Sequence, residues 1–481
     1  LGLRAGELPP AVAIRRHMES GGRYHRGGLE DNLATGALSQ TTASTTAEEE
    51  TGPEQPPQPI PVSGTKTISN VVILACFNDH WNTSTGTVSA SYGRTAASEY
   101  DNLFNEVGHT SDGAVGSVRD YYTQVSYGKL TVDSIVTAWV RLPNNESYYG
   151  ANVSGNDKNP QQMVIDAINA ADAAGFDFSQ GDSDADGWVD CFTIIHSGHG
   201  EEYTGNPANC IWSHQWSLNS PSTKDGVSMM TYHTEPALRG LTSSTSIIRI
   251  GVICHETGHF FGLPDLYDYS DTTEGIGEWG LMASGSWNGS DGKSPAHFSA
   301  WSKYMLGFVQ PVQMHSKAGI SLPRVEDNPV VHFYRDGMSN GEYFLVENRA
   351  RFGFDNTTEI YPGILIYHID SKSGNNDLGT WPHPVVKIEE ADGNNSLSAN
   401  RDCQAGDAWS NTSGLAGGFR DQTGNQNTNA MRYQTADYSR PDNSAYYSYN
   451  RLNTFSATSA TMTYTASTLK PIVDTQTVAT S

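Results

Sequence analysis

The sequence predicts an α+β (mixed α/β) domain followed by a β-rich domain, the latter a sandwich. Two contrasts in its patterning carry that expectation. Between residues 65 and 310, β-branched apolar runs alternate with segments of helical period. From 311 to 469, short strands follow one another across Gly, Asn and Asp turns. The 48 glycines and a hydrophobic content of 37% also suit a loop-rich globular chain better than a helical bundle.

Taken in order, residues 1–37 hold a mixed basic segment without a clear period. Residues 39–64, "SQTTASTTAEEETGPEQPPQPIPVSG", are rich in Thr, Glu, Pro and Gln and cannot bury enough apolar surface to fold. Residues 39–64 are therefore expected to be a flexible linker, with residues 1–64 largely disordered. Ordered structure should begin at "ISNVVILACFND", a buried strand. "TVDSIVTAWVRL" and "WVDCFTIIHSG" read as further strands, "SVRDYYTQVSYGKL" and "PQQMVIDAINAADAAG" as helices. "STSIIRIGVICHETGHFFG" reads as one helix ending at Gly262-Leu263-Pro264, because glycine with proline two residues later stops a helix. After "SPAHFSAWSKYMLGFVQP" a boundary is placed near residue 310. "PVVHFYRD", "EYFLVENRARFG", "GILIYHID", "VVKIEEADG" and "ATMTYTAS" are the strands of the second domain, and residues 470–481 are a tail.

Composition excludes several classes of function. The 53 acidic and 29 basic side chains leave a net charge of −24, which repels nucleic acid and anionic membrane. No run approaches the roughly 20 apolar residues of a membrane-spanning helix. The acidic, polar composition fits a protein acting outside the cell, and a monomer is expected. Among the five cysteines, Cys191 and Cys210 enclose a short loop and are the first expectation for a disulfide.

The chemistry concentrates in "CHETGHFFGLPDLYD", Cys254 to Asp268. An H-E-x-x-H string arises by accident in about one chain in fifty of this length, so its flanks must decide. Helix positions i and i+4 share a face about 5–6 Å apart. His255 and His259 can therefore aim imidazole nitrogens at one ion, and a bond of about 2.0–2.1 Å suits zinc. Glu256 sits one position round, able to reach a water without ligating the metal. A third ligand should lie beyond Gly262, where the missing β-carbon lets the chain turn out of the helix. Asp265 and Asp268 are the near candidates, Glu274 and Glu278 the distant ones. Asp265 completes H-E-x-x-H-x-x-G-x-x-D, in the place of the third histidine of the metzincin pattern. The apolar run "SIIRIGVIC" keeps this helix off the open surface, where polar groups need partners. Met282, in "EWGLMASGSWNG", then matches a metzincin methionine turn, an apolar floor below the metal. The first domain is accordingly expected to be a metzincin-like zinc peptidase.

A second cation is expected at "GDSDADGWVDCF". Asp182, Asp184, Asp186 and Asp190 surround Gly187 as in the first half of an EF-hand calcium loop. Carboxylates this close repel one another, and calcium between them relieves that cost. Position 12 would be Thr193 rather than glutamate, and a strand follows rather than a helix, so the loop is only EF-like. His196 and His199, just beyond, read as structural. "CFTIIHSG" is expected to be the rim strand that pairs with an extended substrate peptide.

These residues bring a resemblance with them. The sequence is similar to the immune inhibitor A family of secreted bacterial metallopeptidases over roughly residues 68–469. Beyond "HETGHFFGLPDLYD" it matches in "VVILACFND", "SVRDYYTQVSYGKL", "IWSHQW", "WGLMASGSWNG", "SPAHFSAWSKYMLGFV", "YFLVENRARFGFD" and "PGILIYHID", in the expected order. The resemblance implies a zinc-dependent endopeptidase made with a prosegment, here expected as a removable prosegment and linker in residues 1–64, in which His255, His259 and Asp265 bind zinc and Glu256 is catalytic. In that mechanism Glu256 takes a proton from the zinc-activated water and passes it to the leaving amine. The oxyanion-stabilising group is expected from a histidine or tyrosine of a later loop. The alternative is a cell-surface module that binds glycan or protein, with structural zinc and calcium. An intact Glu256 argues against it, because a structural site has no use for that carboxylate.

Overall fold

The computed structural model describes residues 65–468, apart from 152–156, 207, 271, 335–341, 372, 379–383, 395, 414–417 and 421–449. The expected prosegment and linker (1–64) and tail (470–481) lie outside the described residues.

Strand β1 (Lys66–Cys76) is followed by a small hairpin of β2 (Trp81–Asn82) and β3 (Thr87–Val88). Helices α1 (Ala97–Asn105) and α2 (Val118–Val125) then lead to β4 (Leu130–Val136) and β5 (Val140–Arg141). Next come α3 (Glu146–Gly150), α4 (Pro160–Ala173), β6 (Cys191–His199), α5 (Glu201–Thr204), β7 (His214–Lys224) and β8 (Val227–Leu238). Helices α6 (Ile250–Phe260) and α7 (Ala300–Met305) complete this half. The main sheet runs β4-β1-β6-β8-β7, with β5 also on β1. All its pairings are parallel except that of β7 with β8.

Alternate residues of β1 face opposite ways. Ile68, Val72, Leu74 and Cys76 enter one core with residues of α1, α2 and α6, whereas Val71, Ile73 and Ala75 enter another with α4. Helices thus cover both faces, which is why β1 reads as an unbroken apolar run. Helix α4 buries Met163, Val164, Ala167, Ile168 and Ala171, a stripe of helical period. Helix α2 starts at a reciprocal cap: the Asp120 amide donates to Ser117 Oγ (3.1 Å) and the Ser117 amide to Asp120 Oδ2 (2.9 Å).

Three expectations are corrected here. The histidine helix begins at Ile250 rather than Ser244. Ile247 bridges to Leu238, and the Ile248 amide donates to the Ala237 carbonyl (3.1 Å), so those apolar residues extend the sheet before the helix starts. "CFTIIHSG" is not a rim strand: β6 is hydrogen-bonded to β1 on one side and β8 on the other, and the outer strand beyond β8 is β7. Nor do Cys191 and Cys210 form a disulfide, all five cysteines being free and buried. β6 carries the chain away from Cys191 at about 3.3 Å per residue. Cys210 lies past its far end, where the Glu201 amide donates to the Ile211 carbonyl (3.0 Å).

The second half contains β9 (Val312–Gln313), β10 (Lys317–Pro323), β11 (His332–Tyr334), β12 (Glu342–Arg349), β13 (Gly363–Asp370), β14 (Val386–Ile388), β15 (Phe419–Arg420), β16 (Arg451–Asn453) and β17 (Thr461–Ser467). They form two sheets, β14-β13-β12-β11-β9 and β10-β17-β16-β15. Phe344, Val346, Ile364 and Ile366 share a core with Leu322, Leu452, Met462 and Tyr464 of the facing sheet. Their neighbours Leu345, Leu365, Tyr367 and Ile369 point the other way, into the large core that also holds Trp279, Leu281 and Met282. The five-stranded sheet is therefore buried on both faces, and its core is continuous with that of the first half.

A fully buried ionic network ties the two halves together. Lys303 Nζ of α7 donates to Glu347 Oε2 of β12 (2.8 Å), and Tyr367 Oη donates to Glu347 Oε1 (2.7 Å). Arg349 binds Asp355 through Nε (2.7 Å) and the Trp279 carbonyl through Nη1 (2.6 Å). Each charge has an opposite partner, the condition under which charged groups are tolerated in a core.

Candidate metal centre

Helix α6 places His255 and His259 on one face, and the chain then leaves it through Gly262, whose φ of +89° is the left-handed conformation glycine adopts without strain. The turn brings Asp265 back to the histidines. His255 Nε2, His259 Nε2 and Asp265 Oδ1 are mutually 3.1 Å apart. A tetrahedral ion with bonds of about 2.0–2.1 Å separates its ligand atoms by about 3.3 Å, so this triangle is of the size such an ion needs.

The tautomers point the same way. His255 Nδ1 lies 2.8 Å from the Leu281 carbonyl and His259 Nδ1 lies 2.8 Å from the Leu263 carbonyl. A carbonyl can only accept, so each Nδ1 carries the proton, and in the neutral rings each Nε2 turns a lone pair inward. Two lone pairs and a buried carboxylate oxygen converging on one point repel unless a cation lies between them. The Tyr269 hydroxyl donates to the other oxygen, Asp265 Oδ2, and fixes that carboxylate. The histidine side chains keep 8–9% exposure while that of Asp265 is enclosed, so the cluster opens to solvent on the histidine side. Glu256 is buried beside them, and its Oε2 has no hydrogen-bond partner among the described residues. Burial holds this carboxyl well above the usual range, with His255 opposing.

The sequence offered four third-ligand candidates, and the structure brings one of them to the histidines. Asp268 instead organises its own loop, accepting from the Ser270 amide (3.0 Å), the Thr273 amide (3.1 Å) and the Leu378 amide (2.9 Å). Glu278 accepts from the Cys403 amide (2.8 Å), and the Glu274 amide donates to the Leu397 carbonyl (2.9 Å). Met282 lies beneath the helix: a β-carbon added at Gly258 would sit 2.6 Å from its sulfur. The glycine between the two histidines is thus a contact surface for the methionine. Sequence reading missed the Leu281 carbonyl and Tyr269, since backbone acceptors and second contacts leave no spacing signature.

In the acidic turn, Asp182, Asp184 and Asp190 offer oxygens within 4.8 Å of one another. Asp186 is not brought into that group, and its Oδ1 accepts from the Trp188 amide (2.9 Å). Asp182 accepts from the Asp186 and Gly187 amides (3.1 and 2.9 Å), and Asp190 Oδ2 from the Ser69 amide (2.8 Å). An apolar cavity of about 360 Å³ lies between this turn and Phe260 and Phe261 at the end of α6, but includes none of the four residues of the histidine cluster.

Comparison with known proteins follows the same residues. Residues 60–310 match the immune inhibitor A peptidase M6 catalytic domain. The chain is 33% identical over 242 residues to the pre-pro-metalloprotease PrtV of Vibrio cholerae, covering 45% of this chain and 26% of that protein. It is 34% identical over 259 residues to immune inhibitor A of Bacillus thuringiensis subsp. alesti, covering 47% and 38%. The chain thus spans well under half the length of these curated relatives. Solved OgpA from Akkermansia muciniphila aligns at a TM-score of 0.28 and 12% identity, over 66% of this chain and 89% of that one, a likeness too slight to bear on fold or function. No helix among the described residues is long and apolar enough to cross a membrane. Because the matched domain runs over more than half of the sequence and encloses the histidine cluster, the chain belongs to the immune inhibitor A peptidase M6 family.

Proposed function

We propose that this chain is a secreted zinc-dependent endopeptidase that hydrolyses peptide bonds of protein substrates and acts as a monomer. The observation that carries this reading is the 3.1 Å triangle of His255 Nε2, His259 Nε2 and Asp265 Oδ1 with the unpartnered Glu256 Oε2 beside it. The donor set, two neutral imidazoles and one carboxylate with an open side, is that of catalytic zinc. Bound there, zinc supplies a Lewis acid that polarises the scissile carbonyl and acidifies water. Glu256 Oε2 receives the proton of the attacking water and delivers it to the leaving amine. Leu281 and Leu263 hold the imidazoles in register, and Met282 closes the apolar floor. Metalloprotease relatives, one named a pre-pro-protein, support the reading and its secretion.

The division that goes with it is a removable prosegment and linker (1–64), a catalytic domain (65–310), a β-rich sandwich (311–469) and a tail (470–481). The core that Met282 shares with residues of the second half supports a reading in which the sandwich braces the catalytic domain. Calcium is proposed at Asp182, Asp184 and Asp190, on the support of their convergence. Casein hydrolysis tests the function: wild type should cleave it, a zinc chelator should stop cleavage, and zinc should restore it. Glu256→Gln should lower the rate by about 10²–10⁴-fold with zinc content unchanged. A chelator-insensitive rate, or a Glu256→Gln rate within a few-fold of wild type, would refute the reading.

A further inference from the structure

A second acidic cluster lies in the other half of the molecule. Glu390, Asp392 and Asp407 offer oxygens within 4.8 Å of one another. Unlike the carboxylates of the 182–190 turn, two of these are deeply buried: Glu390 is 3% exposed and Asp407 0%. Most of their oxygens are satisfied by backbone. Glu390 accepts from the Ser396 and Leu397 amides, Asp392 Oδ1 from the Asn394 amide (2.9 Å), and Asp407 Oδ2 from the Gln404 amide (2.6 Å). Asp407 Oδ1, however, is buried with no hydrogen-bond partner among the described residues.

An ionised carboxylate oxygen left bare in a core costs several kcal/mol unless something compensates it. The neighbouring charges make matters worse. Burial first, then Glu390, Asp392 and Glu278, push the Asp407 carboxyl up to about 7, against one lowering contact from the Gln404 amide. The Asp392 carboxylate presses toward Asp407 along the chain: a β-carbon at Gly406 would lie 2.2 Å from Asp392 Oδ2. The glycine is what lets the two carboxylates approach.

We propose that Glu390, Asp392 and Asp407 bind a divalent cation, calcium by its all-oxygen donor set. The bare Asp407 Oδ1 is the oxygen that an ion would satisfy. The ion would fasten the 390–407 loop, which seats directly on the segment between Asp265 and Met282. The Glu274 amide donates to the Leu397 carbonyl (2.9 Å), Glu278 Oε2 accepts from the Cys403 amide (2.8 Å), and Leu397 and Cys403 close over Gly277. Calcium here would brace the methionine turn from the sandwich side. The inference is independent of the peptidase reading, and its test does not use activity.

The test is calcium titration calorimetry on the full chain carrying one equivalent of zinc, with melting temperatures measured with and without calcium. Asp392→Asn and Asp407→Asn should each bind one calcium fewer than wild type, or bind it at least tenfold more weakly, in a background of Asp184→Ala as well as alone. Asp407→Asn should melt higher than wild type without calcium, because a repelling charge is gone, and lower with it. Isotherms that superimpose on wild type, or a melting temperature lowered equally in both conditions, would overturn the proposal. Should Asp407→Asn fail to fold, the half-exposed Asp392→Asn decides alone by the same isotherm.

Discussion

The histidine cluster and the acidic turn at 182–190 are both visible as spacings in the sequence, yet they are built in different ways. At the first, every donor is buried or nearly so and held by a second contact: His255 by Leu281, His259 by Leu263, Asp265 by Tyr269. At the second, the carboxylates are mostly solvated: Asp182 accepts from amides of its own loop, Asp190 from the Ser69 amide of β1, and Asp184 pairs with the exposed Lys66 (3.3 Å). A screened surface pair of that kind contributes about 0–1 kcal/mol. The difference teaches where a motif suffices. On a helix, spacing alone orients side chains; in a loop the same residues have several partners to choose from, and spacing leaves the choice open.

The comparison can be broken most decisively at Asp265. Asp265→Ala should lose zinc altogether, and Asp268→Ala should retain it, as read by metal analysis after gel filtration. The opposite pattern would transfer the ligand role to Asp268. A sharper probe of pre-organisation is Tyr269→Phe, which removes one hydrogen bond and leaves all three donors. Loss of such an outer contact lowers metal affinity by about 10–100-fold, measurable by competition with a chromogenic chelator; unchanged affinity would mean the Asp265 carboxylate needs no support.

Gly258→Ala should cost about 1–3 kcal/mol in urea denaturation, the range for overpacking a tight site, because the new methyl meets Met282 Sδ. Met282→Ala in the same chain should recover part of that loss; no recovery would place the strain elsewhere. The smallest effect belongs to the acidic turn. Calcium should raise the melting temperature of wild type by mass action, and Asp184→Ala should show a smaller rise. An equal rise in both would remove the turn from the calcium response.

Much of the first half was legible. β1, α2, α4 and the clustering of His255, His259 and Asp265 follow from apolar runs, a Ser-x-x-Asp cap and H-E-x-x-H-x-x-G-x-x-D, all local patterns acting over a few residues. What misled was also local. "STSII" has the apolar look of a helix start, yet Ile247 turns back to bridge Leu238 at the end of β8, and helical period does not register that pairing. "CFTIIHSG" reads as any strand does, and whether a strand lies inside a sheet or at its rim depends on which neighbours arrive. The Cys191–Cys210 expectation measured separation along the chain, when the strand between them sets separation in space.

The sequence by itself determined which residues meet at the candidate site, because a helix repeat and a glycine exit bring His255, His259 and Asp265 together with little help from elsewhere. Only the tertiary structure decided what surrounds them. The Leu281 carbonyl on His255, the Met282 sulfur against Gly258, the Arg349 guanidinium on the Trp279 carbonyl and the 390–407 loop over Gly277 all join segments distant in the chain. Such contacts are chosen when two buried faces meet in one core, and shape, burial and unpaired polar groups, rather than residue spacing, select which atoms touch.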